Sequence, residues 1–180
     1  MLIVDVGGGN HPLPIANIVV DRYPWDNDHR AKKEPIALYR WQKLVCADVL
    51  HLPFRDKSVD FLWCTHVLEH CDDPVAACKE LQRVAKSGHI ATPAPVYEYW
   101  ACQIDEEGWK NHLWVCYKEL DQKSQQDAIR FWKKPPADGW KWLPQSSCET
   151  VLGWTDEFSA SYITTEDFDK LLLAAQEEPK

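Results

Sequence analysis

Three aspartates and a run of glycines are spaced to hold a ligand in this 180-residue chain. Val4-Asp5-Val6-Gly7-Gly8-Gly9-Asn10 carries a short apolar stretch straight into three glycines. Glycine lets a backbone turn tightly and come close to a bound group. A strand running into such a loop puts that group at the carboxyl edge of a parallel sheet. Twelve residues after Gly9, Ile18-Val19-Val20 ends at Asp21. A carboxylate there can accept both hydroxyls of a ribose. The spacing is tighter than the ~20 residues of a dinucleotide fingerprint. A structural turn followed by a surface aspartate would give the same letters.

His66-Val67-Leu68-Glu69-His70 is the second cluster. It fits the H-x-x-E-H pattern, in which two histidines four apart on a helix share a face and can reach zinc. Here a β-like run leads directly into it. The reading is therefore that Glu69 and His70 cap and orient the next helix, and no metal is expected. His66, with an ordinary pKa of ~6.5, suits a general base.

These residues need elements to position them. Leu2–Val6, Ile18–Val20, Leu44–Ala47, Val59–Thr65 and His89–Thr92 are short apolar runs, as expected of strands buried on both faces of a parallel sheet. Between the last two, a helix is predicted from Asp72 or Asp73 with Pro74 in its first turn, stopped by Ser87-Gly88. The other crossovers are weaker. Pro12 and Pro14 shorten any helix after the glycines, and Ile36–Trp41 could hold one.

The second half alternates with period two over residues 113–118 and 128–133, predicting an antiparallel hairpin with Glu119–Asp127 as a long loop. Pro135–Thr155 has no clear period, and Thr164 or Thr165 with Asp167 signals a last helix through Phe168–Ala175. The expectation is a single α/β domain over 1–180. Its mostly parallel core spans 1–95, and 96–180 form a Trp-rich, acidic lid and closing-strand region.

Composition narrows the function. The chain carries 20 basic and 28 acidic residues, with 11 and 12 in residues 1–95 but 9 and 16 beyond. That argues against an extended nucleic-acid surface, although Arg30-Ala31-Lys32-Lys33 keeps RNA open. No apolar run reaches the ~18 residues of a membrane span, and no signal peptide is recognised at Met1. The seven cysteines form no Cys-x-x-Cys pair and read as reduced thiols filling a core in the cytoplasm. Seven of ten tryptophans lie between Trp100 and Trp154. They suit core or lid packing, substrate contact or a partner surface.

Five segments in order carry a family resemblance: Asp5–Gly9, Val20-Asp21, Asp48-Val49-Leu50-His51-Leu52-Pro53-Phe54-Arg55-Asp56-Lys57-Ser58-Val59-Asp60, His66–His70 and Glu80–Gly88. Over residues 2–95 the chain resembles the class I, Rossmann-like S-adenosylmethionine-dependent methyltransferases with D-x-x-x-L-P-F-x-D-x-S-x-D and H-V-L-E-H motifs. The resemblance implies S-adenosylmethionine as cofactor, framed by Asp5, Gly7 and Gly9. It implies Asp21 on the ribose and Asp48 on the adenine amino group with the Val49 backbone beside it. His66 would border the sulfonium and the acceptor. His11 replaces the family's third loop glycine, and Ser87-Gly88 its usual Gly-Gly. The family's helical lid has no counterpart before the first strand, so residues 96–160 are expected to cover the site. The acceptor is expected to be a small molecule or protein. The alternative is a catalytically degenerate binding protein on the same fold. A nucleotide-binding oxidoreductase is disfavoured by the Gly9–Asp21 spacing and the Asp48–Phe54 segment.

Overall fold

The computed structural model describes residues 1–28, 30, 33–104, 110–121, 123–134 and 149–167, with the backbone alone at 102–104. The strands of the first half are β1 (Ile3–Val6), β2 (Ile18–Asp21), β3 (Lys43–Cys46), β4 (Phe61–Thr65) and β5 (Ser87–Pro93). They form a parallel sheet, closed by the antiparallel β8 (Glu149–Thr155), in the order β3-β2-β1-β4-β5-β8. The chain moves outward from β1 through β2 to β3, then returns to β4 on the other side. The order thus reverses between β1 and β4, the switch point at which open α/β sheets bind ligands.

One helix crosses between β4 and β5. α1 (Pro74–Val84) begins at Asp73, whose Oδ1 accepts from the Ala76 N–H at 2.8 Å, with Pro74 in the first turn. The cap is therefore Asp73, not Glu69 or His70. Pro74, Ala77, Cys78, Leu81 and Val84 form its buried stripe. It packs with Val4, Val6, Leu62, Cys64 and Ile90 in one apolar cluster. The helix stops at Val84, earlier than Ser87-Gly88, because Ala85 is already extended and Ser87 opens β5. Gly88 serves the sheet: a Cβ there would overlap the Trp154 ring.

Other expectations change. β1 is buried along its whole length, but β4 is half-open on one face and β3 has no buried residue on either face. Residues 10–16 and 36–41 are turns and irregular chain, so no helix covers that face from either segment. β6 (Trp114–Asp121) and β7 (Gln126–Lys133) form the hairpin, but the expected long loop is mostly strand, paired from Trp114↔Lys133 to Asp121↔Gln126. The hairpin builds its own sheet with β9 (Ser159–Ile163), which runs parallel to β7. β8 instead occupies the antiparallel edge of the main sheet. Thr164 and Asp167 make the expected reciprocal cap, with the Asp167 N–H on Thr164 Oγ1 at 3.1 Å. Phe168–Ala175 lie outside the described residues, as do most of the unpatterned 135–155 stretch and the acidic run Asp105-Glu106-Glu107.

After β5 comes α2 (Pro95–Ile104). Of the described tryptophans in the second half, Trp114, Trp132 and Trp154 pack inside, while Trp100 is exposed. Cys64, Cys71, Cys78 and Cys116 are buried free thiols and Cys46 is exposed; Cys102 and Cys148 are not among the residues with described side chains. Among the described residues no helix is long and apolar enough to cross a membrane.

Candidate functional site

The carboxyl ends of β1, β2, β3 and β4 meet at one edge. Gly7 follows β1 with φ +78° and donates its N–H to the Val20 carbonyl at 2.7 Å. Gly9 has φ +52°. Both lie in the left-handed region that favours glycine. A Cβ on Gly7 would overlap Val67, and one on Gly8 would overlap the Asp5 carboxylate. The glycines therefore let the loop press against both the strand below it and the chain leaving β4. Next to them a cleft of about 490 Å³ is lined by Asn10, His11, Pro12, Leu38 and Tyr39 among others.

Asp5 holds this loop from underneath. Its Oδ2 accepts from the Leu13 N–H at 2.7 Å, while Oδ1 is buried with no hydrogen-bond partner. Burial pushes its pKa from 3.8 up to about 6, against the opposing pull of the Leu13 N–H.

Asp21 ends β2, and Asp48 stands two residues beyond Cys46, which pairs with Asp21 in the sheet. The two carboxylates thus share the edge with the glycines. Asp21 Oδ1 accepts from the Tyr23 N–H at 2.7 Å, and Oδ2 lies 3.8 Å from Nη1 of Arg30. Asp48 accepts from the Leu50 N–H at 3.0 Å and lies 3.3 Å from Arg22 Nε. Val49 is buried beside it.

Local sequence gave no sign of what Arg30 does. Its side chain is only 6% exposed. It donates to the carbonyls of Tyr23, Pro24 and Glu34 and to Asn27 Oδ1, tying these residues together beside Gly9. Lys33 pairs with Asp28 at 3.2 Å. The basic patch expected here is therefore reduced: Arg30 faces inward, Lys33 is paired, and Ala31 and Lys32 lie outside the described residues.

His66 follows β4 at φ +54°, an uncommon backbone for this residue, fixed by its N–H on the Ala91 carbonyl at 2.9 Å. Its ring sits between two carboxylates. Nδ1 is 3.4 Å from Glu69 Oε1, and Nε2 is 3.2 Å from Glu149 Oε1. Glu69, then Glu149, raise its pKa, while partial burial opposes them.

Glu69 and His70 lie on a single 3-10 turn, Leu68–His70. Three partners absent from any local motif join them: Glu98 on α2, and Asn111 and His112 before β6. They lie 14 or more residues away from their contacts, so only the tertiary fold reveals them.

Known proteins agree with this architecture. Residues 4–92 match the family described as a methyltransferase domain. An uncharacterized protein of Methanocaldococcus jannaschii is 39% identical over 46 residues, covering 26% of this chain and 20% of its own. Uncharacterized protein YafS of Escherichia coli is 52% identical over 40 residues, covering 22% and 17%. The matched stretches thus span about a fifth of those two relatives. A Thermotoga maritima S-adenosylmethionine-dependent methyltransferase structure superposes with a TM-score of 0.52 at 17% identity, over 87% of this chain and 82% of that one, which shows a shared fold. Residues 4–92, just under half of the chain, thus match the methyltransferase-domain family, on a sheet with the Rossmann-like strand order.

Proposed function

We propose that the chain transfers a methyl group from S-adenosylmethionine to a small-molecule or protein acceptor held on the β4 side of the sheet edge. The observation that carries this reading is the switch point itself: Gly7 packs on Val67 there, with Asp21 at the end of the next strand outward and Asp48 two residues past the end of the one after. The residues fit the cofactor on two counts. The glycine loop has positive φ at Gly7 and Gly9. A buried acceptor, Asp5 Oδ1, is left without a hydrogen-bond partner beside it.

Bound S-adenosylmethionine supplies an electrophilic methyl on a sulfonium, so the protein's task is mainly alignment. Asp5 keeps the loop in shape through Leu13. Asp21 receives the ribose hydroxyls by exchanging its 3.8 Å contact with Arg30. Asp48 takes the adenine amino group with the Val49 backbone alongside. His66 takes up a proton from the acceptor at Nε2 by exchanging its 3.2 Å contact with the half-exposed Glu149, while Glu69 beside Nδ1 stabilises the imidazolium. Residues 96–160 serve as the cover that excludes water. In support, α2 starts two residues after β5, and Tyr97 and Trp100 on it are exposed. Residues 105–109 and 135–148 of that stretch lie outside the described residues.

Thermal shift with S-adenosylmethionine, S-adenosylhomocysteine and NAD tests the reading. The first two should raise the melting temperature and NAD should not. A shift with NAD alone would contradict it.

A further inference from the structure

Glu69 is a fully enclosed carboxylate surrounded by imidazoles. It is 1% exposed, and neither oxygen has a hydrogen-bond partner. Its neighbours are imidazoles: His66 Nδ1 at 3.4 Å and His70 Nε2 at 3.9 Å. Burying a carboxylate whose oxygens make no hydrogen bond is costly, and a cation offsets that loss.

Two of the surrounding rings are held ready to receive one. His70 Nδ1 lies 3.1 Å from the Asn111 carbonyl. A carbonyl only accepts, so the proton is on Nδ1 and the Nε2 lone pair is free. His112 Nδ1 lies 2.5 Å from Oε1 of Glu98, itself 0% exposed. A carboxylate acceptor there likewise leaves the Nε2 of His112 with its lone pair. A second-sphere oxygen that fixes each imidazole's tautomer is the arrangement found behind metal-ligating histidines. One donor atom each from Glu69, His70 and His112 lies within 4.8 Å of the other two, and the two rings meet edge to face with centroids 4.6 Å apart. The Leu113 N–H on the Glu69 carbonyl at 2.7 Å ties the two segments together.

We infer that Glu69, His70 and His112 form a binding site for a divalent first-row transition cation, with Glu98 as the positioning residue behind His112. One carboxylate and two imidazoles suit Mn²⁺, Fe²⁺, Co²⁺ or Zn²⁺ over Mg²⁺ or Ca²⁺, which prefer oxygen alone. Three protein ligands leave positions open for an exogenous oxygen. The site replaces the metal-free expectation drawn from the H-x-x-E-H spacing. That spacing pairs His66 with His70, whereas the fold brings His112 to Glu69 and His70 and leaves His66 outside the trio.

Titration of the full chain with Mn²⁺, followed by the loss of the free-ion electron paramagnetic resonance signal, tests this. Mn²⁺ is chosen because the chain's thiols compete for it poorly. One saturable site is expected. His70→Gln and His112→Gln should each weaken it by more than tenfold, and Glu98→Gln by roughly 10–100-fold, the usual cost of losing a partner behind a ligating histidine. Circular dichroism checks that each variant is folded, and the wild-type titration stands without them. No saturable Mn²⁺ binding to the wild type, or binding unchanged in both folded histidine variants, overturns the inference. S-adenosylhomocysteine binding measured on the same sample keeps the two readings apart, since either ligand can bind without the other.

Discussion

Val67 occupies the space that a side chain on Gly7 would need. The glycine loop after β1 and the segment leaving β4 are thus in contact where the strand order reverses. Gly7→Ala meets two costs, the φ of +78° and the overlap with Val67. Gly9→Ala meets the φ of +52° but has its nearest neighbour, an Arg30 side-chain carbon, at 3.5 Å. Left-handed backbone costs an L-residue about 1–2 kcal/mol. Urea denaturation should therefore show Gly9→Ala losing about that much and Gly7→Ala clearly more. Equal losses would contradict the packing.

Asp5 makes stability depend on pH. Burial raises its pKa from 3.8 to about 6, so between those values the folded chain holds this proton more tightly than the unfolded one. Its contribution is complete below about pH 4 and is lost as the pH rises through 6. A shift of this size is worth on the order of 3 kcal/mol. Asp5→Asn cannot titrate, so its stability relative to the wild type should climb across that window. Parallel pH profiles in denaturant melts would count against an Asp5 whose proton is held by burial.

The antiparallel edge depends on one ring. Trp154 packs on Gly88 and Phe158, with ring centroids of Trp154 and Phe158 5.2 Å apart. Trp154→Ala should cost about 3–5 kcal/mol. Gly88→Ala should destabilise the wild type and stay costly in the Trp154→Ala background, where only the ring's share of the overlap is relieved and the Leu62 carbonyl oxygen still stands 2.5 Å from the added Cβ. A double-mutant cycle with no coupling would show that the two do not compete for that space.

Hydrogen exchange checks the cover. With S-adenosylhomocysteine bound, protection should rise at 96–104 and 110–112 as well as at Gly7–Gly9 and Asp48. A response confined to the glycine loop and Asp48 would make the second half a packing or partner surface.

What could be read from sequence follows from how local each signal is. The glycine loop, Asp21 and Asp48 are each announced by a short apolar strand, and the fold places all three at one edge. β8 escaped notice, although its buried residues Thr150, Leu152 and Trp154 alternate with exposed ones. A threonine and Gly153 blur that alternation, and no turn signal marks its start. The hairpin loop looked long because Glu119–Asp127 is mostly polar. Its two ends, up to Asp121 and from Gln126, form strand regardless, held by Arg130 against Glu119 at 2.7 Å and Asp121 at 3.0 Å. His112, Glu98 and Arg30 act through contacts that sequence spacing does not encode.

Calorimetry with S-adenosylhomocysteine on the wild type and Asp21→Ala tests the central claim most directly. A carboxylate accepting two ribose hydroxyls makes two charge-assisted bonds of about 1.5–3 kcal/mol each. The wild type should bind one equivalent, and the variant's Kd should be raised by at least roughly 100-fold with its circular dichroism unchanged. An unchanged Kd in the folded variant, or no binding by the wild type, would contradict a cofactor site at this sheet edge.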